Sequence, residues 1–266
     1  AHSWNPGKDW WPADPVIPAP EEEEEEDATF SGEIEELLVS EKTMEIVARG
    51  GHPWVLEDDQ TGRRDHLRPG AMVRLEGVSG APGPYALIEG TGELAARVWS
   101  RERESAVRFE EEIDIRTDEA FAARTEFFES MSETDIFRLI HAEADGLPGF
   151  TLDRVGPILR ATLTGATSYA FRDRVYDNIL DFDPDAVILE VEHLADVRRE
   201  TTPIAQIVRG QSAYTKPGER LVGREDGLEY WVDPWEGVDI GFFAGQRGNR
   251  RTLREHVAPG STWLNL

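Results

Sequence analysis

Short apolar runs separated by turn residues dominate the chain between residues 33 and 104. Glycine and proline pairs, such as Gly50-Gly51 and Pro69-Gly70, interrupt the runs at short intervals. Breakers at this spacing predict short strands that close into a small β-barrel. The predicted strands are Met44–Val47, Met72–Leu75, Tyr85–Ile88 and Leu94–Trp99.

The period of the apolar positions changes in the middle region, residues 105–233. Spacings of three and four predict a helix over 118–131, with acids near its start. Strict alternation then predicts a β-hairpin, Phe150–Val155 and residues 159–163, that turns at Gly156-Pro157. The predicted apolar face of the helix consists of Ala120, Ala123, Phe127 and Met131.

A second amphipathic helix follows the hairpin, with Thr167 or Ser168 as its expected N-cap. Ala186–Val191 and Leu228–Val232 are predicted to add strands to the same sheet, which gives the order strand, strand, helix, strand, strand. Glu190 and Glu192 alternate with apolar residues, so we expect them on one solvated face rather than in a catalytic pair. The apolar positions of the helix are Phe171, Val175, Ile179 and Phe182.

The two ends of the chain differ from this pattern. Residues 1–32 combine tryptophan, proline and six consecutive glutamates, which predicts a disordered acidic tail. In the last segment, residues 234–266, Arg247–Val257 should be helical and Pro259-Gly260 should end the helix. Thr262–Leu266 should then begin a strand.

The net charge of -25 argues against indiscriminate attraction to nucleic acid. Residues 1–30 hold nine acids against Lys8 alone, so -8 of the charge lies there and -17 in the rest. The chain has no cysteine, which removes disulfides and thiolate zinc sites. No apolar run approaches a membrane span and no secretory signal is evident, so we expect a soluble, cytoplasmic protein without membrane partners.

Common catalytic motifs are missing from the sequence. The six histidines show no ligand spacing, so no metal is expected. Neither a nucleophile elbow nor a phosphate-binding glycine-lysine loop occurs, which removes the main support for hydrolase and nucleoside-triphosphatase activities. We therefore identify no catalytic residue in this chain.

Four motifs give the chain a family resemblance. Gly51–Val55 and Leu67–Val73 resemble the opening of a PUA domain, in which HPWV precedes a PGxxV strand. Phe137–Gly156 is the most specific match, and Gly241–Arg250 resembles a GFFLDQRxNR segment. Thr262–Leu266 resembles the start of LNLFxYTG. Together they resemble class I S-adenosylmethionine-dependent methyltransferases of large-subunit ribosomal RNA that carry an N-terminal PUA domain.

The resemblance implies an α+β architecture in three parts. Residues 33–104 would form a PUA-like β-barrel, residues 105–233 a middle domain, and residues 234–266 the first helix and strand of a Rossmann-like methyltransferase domain. It further implies S-adenosylmethionine as cofactor, large-subunit rRNA as partner and carbon 5 of a cytosine as target. A downstream cysteine would attack carbon 6 of the base and so activate carbon 5. Because the family's cofactor-binding motif follows residue 266, we expect this chain to be an inactive fragment.

The resemblance also implies roles for particular residues at the end of the chain. Phe243, Gln246, Arg247 and Asn265 would lie at the rim of the cofactor pocket. Arg250 would meet either substrate phosphate or an acid on the following helix. The sequence departs from the family at Ala244-Gly245, which replace the usual Leu-Asp.

Charged residues crowd the turns of the 137–156 motif. Arg138 and Arg154 are candidate RNA contacts. The alternative is that they pair with Glu143 and Asp153 and fix an interdomain turn.

Two other functions remain open from the sequence alone. One is a non-catalytic RNA- or ribosome-binding adaptor that keeps the recognition domains. The other is a protein-interaction scaffold that uses the acidic surface. The target nucleotide and the oligomeric state cannot be read from the sequence.

Overall fold

The computed structural model describes residues 34–49, 51–90, 92–129, 133–192, 204–210, 220–235, 240–258 and 260–262. Within these ranges the chain forms two five-stranded sheets, one two-stranded sheet and six α-helices. The predicted disordered tail, residues 1–32, lies outside them and stays a prediction.

The first sheet is mixed and has the order β1-β3-β4-β5-β2. Strand β1 runs parallel to β3, and the other neighbours are antiparallel. Leu37, Val73 and Ile88 are fully buried in one apolar core, as alternation along the strands requires. Three of the four predicted strands are confirmed. The strands are β1 (Glu35–Val39), β2 (Trp54–Leu56), β3 (Met72–Gly77), β4 (Pro82–Ile88) and β5 (Leu94–Ser100).

The predicted closed barrel is not found among the described strands. Strands β1 and β2 stand at opposite edges of the sheet and do not pair with each other. The edge of β1 is instead met by a loop, where the Gly62 N–H donates to the Leu38 carbonyl at 2.8 Å. The fold thus confirms a β-rich first unit without the closure expected of a barrel.

The predicted strand Met44–Val47 was wrong, because this run is helical. Helix α1 (Glu41–Met44) continues into a π-helical turn, Glu45–Arg49. The Ser40 hydroxyl caps α1 by accepting the Thr43 N–H at 3.1 Å. Met44 and Val47, three residues apart, are both buried, which is a helical spacing that the short run concealed.

Two helices, α2 (Arg103–Val107) and α3 (Phe109–Glu129), connect the two large sheets. Helix α3 begins nine residues before the predicted start, and its buried face contains Ile113, Thr117, Ala120 and Phe121. The predicted face had the wrong phase, since Ala123 is exposed. Thr117 interrupts the apolar pattern because its hydroxyl donates to the Ile113 carbonyl inside the helix. The predicted side chains Phe127 and Met131 lie outside the described part.

The second sheet has the order β10-β9-β8-β7-β6, and only the β8–β9 pair is parallel among its described pairs. The predicted hairpin is confirmed as β7 and β8, and helix α5 (Arg172–Phe182) makes the crossover to β9. Strands β6 and β10 were not predicted. The strands are β6 (Ile136–His141), β7 (Phe150–Val155), β8 (Ile158–Leu163), β9 (Ile188–Glu192) and β10 (Ile204–Arg209).

Two further predictions about the middle region were wrong. Leu228–Val232 forms β12, which pairs only with β11 (Leu221–Glu225) in a separate two-stranded sheet. Thr167 and Ser168 do not cap α5, because they lie in the short helix α4 (Ala166–Tyr169). Phe171 occupies the N-cap position of α5, without a side-chain cap bond.

Glu190 is buried, against the prediction that it lies on a solvated face. Its side chain is 1% exposed. The Tyr176 hydroxyl donates to Oε2 at 2.8 Å, and Arg172 NH1 donates to Oε1 at 3.1 Å. Alternation along a strand shows which residues share a face of the sheet. It does not show that helix α5 covers this face and shields the carboxylate from solvent.

The two large sheets share one apolar core and a buried ion network. Trp99 of the first sheet belongs to the same core as Phe150 of the second. Arg97 donates to Glu89 at 2.5 Å and to Glu143 at 2.5 Å, which links β5 to the 3₁₀ turn after β6. The sheets are therefore fixed relative to each other.

The predicted C-terminal helix is confirmed as α6 (Arg247–His256). The strand predicted over Thr262–Leu266 falls outside the described residues after Thr262. No described helix is both long and apolar enough to cross a membrane.

Candidate binding cleft

A cleft of about 460 Å³ opens between the second sheet and the segment that precedes α6. Strands β6 and β7 contribute Phe137, Arg138, Asp153 and Arg154 to one wall. The facing wall contains residues 242–246. A cleft of this size suits a small organic ligand.

Four of the predicted site residues line this cleft, namely Arg138, Arg154, Phe243 and Gln246. Arg247 and Arg250 lie beside it in α6. Asn265 lies outside the described residues. Residues assigned to a cofactor pocket and residues assigned to RNA therefore meet in one place.

The Arg138 guanidinium lies at the centre of a short polar chain. Its Nε and one terminal nitrogen donate to the two carboxylate oxygens of Asp153 at 2.8 and 3.0 Å. Its other terminal nitrogen is 3.0 Å from His141 Nδ1. Because a guanidinium can only donate, Nδ1 accepts and the ring proton lies on Nε2. The side chain of Arg138 is 39% exposed, so an incoming anion can reach it.

Arg154 lies deeper in the cleft and is buried. Burial lowers its pKa to about 10, although attraction to Asp183 and Asp135 acts to raise it. Burial also raises the pKa of Asp135, although its Oδ1 accepts the Arg224 N–H at 2.5 Å. A guanidinium this buried cannot meet RNA without a rearrangement, and its predicted RNA contact stays a prediction.

Glu143, another charged residue of the 137–156 motif, links the two large sheets. Glu143 does not pair with Arg138 or Arg154, as the alternative interpretation required. Its Oε1 accepts from Trp54 Nε1 at 2.8 Å and from Arg97. The alternative is thus correct for the pair of Arg138 with Asp153 and wrong for Glu143.

Two adjacent phenylalanines in the facing wall have different surroundings. Phe242 packs against Tyr230, with ring centroids 4.7 Å apart, and the Arg250 guanidinium lies 4.3 Å from its ring centroid. Phe243 is 64% exposed. Phe242 therefore anchors this wall, while the ring of Phe243 is available to a ligand.

Arginines of α6 fix the facing wall to the β11–β12 hairpin. Arg250 donates to the two carboxylate oxygens of Glu225 at 2.6 and 2.7 Å, and to the Phe243 carbonyl at 2.9 Å. Arg247 and Arg251 both bind Asp226. Hydrogen bonds from Arg251 and Arg247 hold the pKa of Asp226 well below its usual range. We call these five residues the arginine clasp.

The sequence analysis missed both carboxylates of the clasp. Arg250 was expected to meet phosphate or an acid on a following helix, whereas its acid, Glu225, ends strand β11. A signal existed, because Arg247, Arg250, Arg251 and Arg254 follow helical spacing and form one basic face. Its partner could not be identified without knowing that β11 and β12 form a hairpin next to this helix.

The chemistry of the lining bears on which ligands the cleft can hold. Among the described residues, no cluster of His, Asp and Glu could hold a metal ion. S-adenosylmethionine carries a sulfonium and an ammonium cation besides its carboxylate and adenosine. Asp153 is the only carboxylate among the described lining residues, and both of its oxygens already accept from Arg138, so these two cations have no available carboxylate. The described residues alone therefore do not fit this cofactor. The predicted roles of Phe243, Gln246 and Arg247 at a cofactor rim stay predictions.

No family model matches the chain. Curated relatives do match it over most of its length. A Bacillus subtilis protein named "Putative ribosomal RNA large subunit methyltransferase YwbD" is 27% identical over 236 residues, which cover 86% of this chain and 57% of the relative. A Deinococcus radiodurans protein named "Ribosomal RNA large subunit methyltransferase" is 28% identical over 245 residues, which cover 84% of this chain and 55% of the relative.

Solved structures show the same fold. "A putative sam-dependent methyltransferase from Streptococcus mutans" superposes with a TM-score of 0.64 at 18% identity, over 83% of this chain and 54% of that one. A second structure, of "a putative methyltransferase complexed with SAH", gives a TM-score of 0.65 at 18% identity, over 83% of this chain and 53% of that one. At this identity the likeness concerns the fold alone.

The chain spans about half the length of the curated relatives it matches. Its homologues are named as ribosomal RNA large-subunit methyltransferases, and its mixed α/β fold is similar to part of the two solved structures.

Proposed function

We propose that the complete protein is a cytoplasmic enzyme that transfers a methyl group from S-adenosylmethionine to large-subunit rRNA, at carbon 5 of a cytosine. The names of the homologues support the reaction class and the RNA substrate. Carbon 5 rests on the family resemblance, which implies a cysteine nucleophile that these 266 residues do not contain.

The observation that carries the RNA role is the composition of the cleft. In a chain of charge -25, its lining places the partly exposed guanidinium of Arg138 opposite the exposed ring of Phe243. Arginine and aromatic side chains are the groups that bind phosphate and unstacked bases in RNA. The cleft lies against the motif over residues 137–156, which supports a role in positioning RNA.

We assign this role by region. Residues 33–104 act as a PUA-like unit, although their sheet is not closed, and residues 105–233 form the middle domain. Residues 234–266 begin a Rossmann-like domain. Because the chain spans about half of its relatives, residues 1–266 by themselves are expected to bind RNA and not to transfer methyl groups.

The test uses tritiated S-adenosylmethionine and unmethylated large-subunit rRNA. The protein translated from the full reading frame should label the RNA at one cytosine, whereas residues 1–266 should not exceed a heat-killed control. Label on a protein, on another base, or on neither substrate contradicts the proposal. Turnover by residues 1–266 alone contradicts the assignment of catalysis to other residues.

A non-catalytic RNA- or ribosome-binding adaptor remains the second candidate. The partly exposed Arg138 and the exposed ring of Phe243 in the cleft support it as well, because RNA binding needs no cofactor. The reading frame beyond codon 266 separates the two. A continuation that resembles Phe-x-Tyr-Thr-Gly with a later cysteine favours the enzyme, and a stop codon favours the adaptor.

A further inference from the structure

We propose that the cleft is a subsite for one unpaired nucleotide of RNA, whose base stacks on Phe243 and whose phosphate is bound by Arg138. This inference rests on the proposed function, because it takes RNA to be the substrate. It adds a position for a single nucleotide within this cleft.

The stacking surface follows from the difference between the two phenylalanines. Phe242 is already packed against Tyr230 and Arg250. Phe243 lines the same cleft yet is 64% exposed. An exposed phenylalanine at the mouth of a cleft provides a flat apolar surface for a base, and single-stranded RNA presents unstacked bases to such rings.

The charge of the lining selects an anion. Arg124, Arg138 and Arg154 line the cleft, with Asp153 as the only carboxylate among the described lining residues. Arg124 is bound to Asp145 and Arg154 is buried. Arg138 combines exposure with a fixed position, because Asp153 holds it from one side. A phosphate would therefore meet Arg138 first.

The residues at the mouth of the cleft leave room for the nucleotide. At Gly245 an added Cβ would have no neighbour within 4 Å. The Gln246 Oε1 accepts from Asn249, which leaves the two Nε2 hydrogens to donate to acceptors on a base, such as cytosine O2 and N3.

Fluorescence anisotropy can test the subsite with a labelled single-stranded oligoribonucleotide and residues 1–266. Phe243→Ala should weaken binding about tenfold, the size expected for losing one stacked base. Phe243→Trp should bind at least as well as the wild type. Because Phe243 is exposed, both variants should keep the melting temperature of the wild type.

Two matched pairs of variants make the test specific. Trp231 is 71% exposed and is not among the residues lining the cleft, so Trp231→Ala controls for the loss of an exposed aromatic ring and should leave binding unchanged. Gly245→Asp and Gly245→Asn have nearly the same shape. The aspartate should weaken binding several-fold more than the asparagine, and this difference should shrink at high salt.

The outcomes separate this subsite from the proposed function. No RNA binding by the wild type argues against the RNA role itself. Wild-type binding that Phe243→Ala leaves intact, or that Trp231→Ala weakens equally, overturns the subsite. Competition by cytidine 5′-monophosphate that depends on Phe243 supports a single-nucleotide site. Competition that is unaffected by Phe243→Ala contradicts it.

Discussion

The two walls of the cleft are stabilised by different forces. The wall formed by the second sheet rests on apolar burial, since Leu139, Phe150 and Leu152 are fully buried. The facing wall depends on the arginine clasp, while Leu253 of α6 and Val257, which follows this helix, are about half exposed. Apolar burial involves no titrating group and no charge that salt can screen, whereas charge pairs near the surface respond to both pH and screening. A ligand in the cleft would thus contact one wall whose stability does not depend on charge and one whose stability varies with salt and pH.

The first prediction concerns the apolar burial that stabilises the wall formed by the second sheet. Phe150→Ala removes a fully buried ring that lies about 6 Å from the rings of Phe171 and Tyr176. The lost contacts and the remaining cavity should lower the free energy of unfolding by about 4 kcal/mol. Urea denaturation measures this value.

Phe243→Ala is the matched control for this prediction, because it deletes the same ring from an exposed position. It should change the free energy of unfolding by less than about 0.5 kcal/mol. Similar losses for both variants would mean that burial does not distinguish the two walls.

The second prediction breaks the clasp at its most buried acid. The Glu225 side chain is 1% exposed, and Arg250 is 24% exposed. Glu225→Gln keeps the shape but leaves the guanidinium without its charged partner, at a cost of about 2 kcal/mol, because water can reach Arg250 in part. Local opening of α6 should become about thirtyfold more frequent, as hydrogen exchange of its amides would show. Unchanged protection of α6 would contradict a clasp.

The third prediction concerns acid. The folded-state pKa of Asp226 is depressed by hydrogen bonds from Arg251 and Arg247. Its stabilising contribution is therefore complete above the ordinary aspartate pKa of about 3.9 and is lost as the pH falls through the depressed value. The protection of α6 amides, measured against their intrinsic exchange rate at each pH, should fall over that range before the protection of α5 does. Asp226→Asn should abolish this early loss, and a simultaneous loss in both helices would refute the local origin.

The sequence predicted the apolar wall better than the charged one. The alternation of Phe150–Val155 identified β7 because a hairpin strand is determined by its own residues and its neighbour. Strand β6 was not predicted, because its buried apolar residues come in adjacent pairs, Ile136-Phe137 and Leu139-Ile140, and do not alternate with polar residues. In α3, the polar residue Thr117 lies on the buried face, because its hydroxyl donates to a carbonyl of the same helix. The apolar pattern of this face was therefore interrupted in the sequence.

The site was predictable where the family resemblance supplied a motif and unpredictable where pairing was non-local. Phe243 and Gln246 line the cleft, but their expected place at the rim of a cofactor pocket stays a prediction. The partner of Arg250 lies 25 residues away on a hairpin that the sequence placed in another sheet. Glu190 shows the same limit, because its burial depends on the position of α5 and not on its own strand.

The fourth prediction concerns an exposed ion pair of the β11–β12 hairpin. Arg224 and Glu229 pair across the same hairpin at 3.2 Å, but their side chains are 53% and 59% exposed. Arg224→Gln should lower the free energy of unfolding by less than about 0.5 kcal/mol, because water solvates both charges well. Arg224 is adjacent in sequence to Glu225, so the two variants differ mainly in burial. A loss for Arg224→Gln as large as that for Glu225→Gln, measured by urea denaturation and α6 exchange, would show that charge alone, rather than burial, sets the strength of this wall.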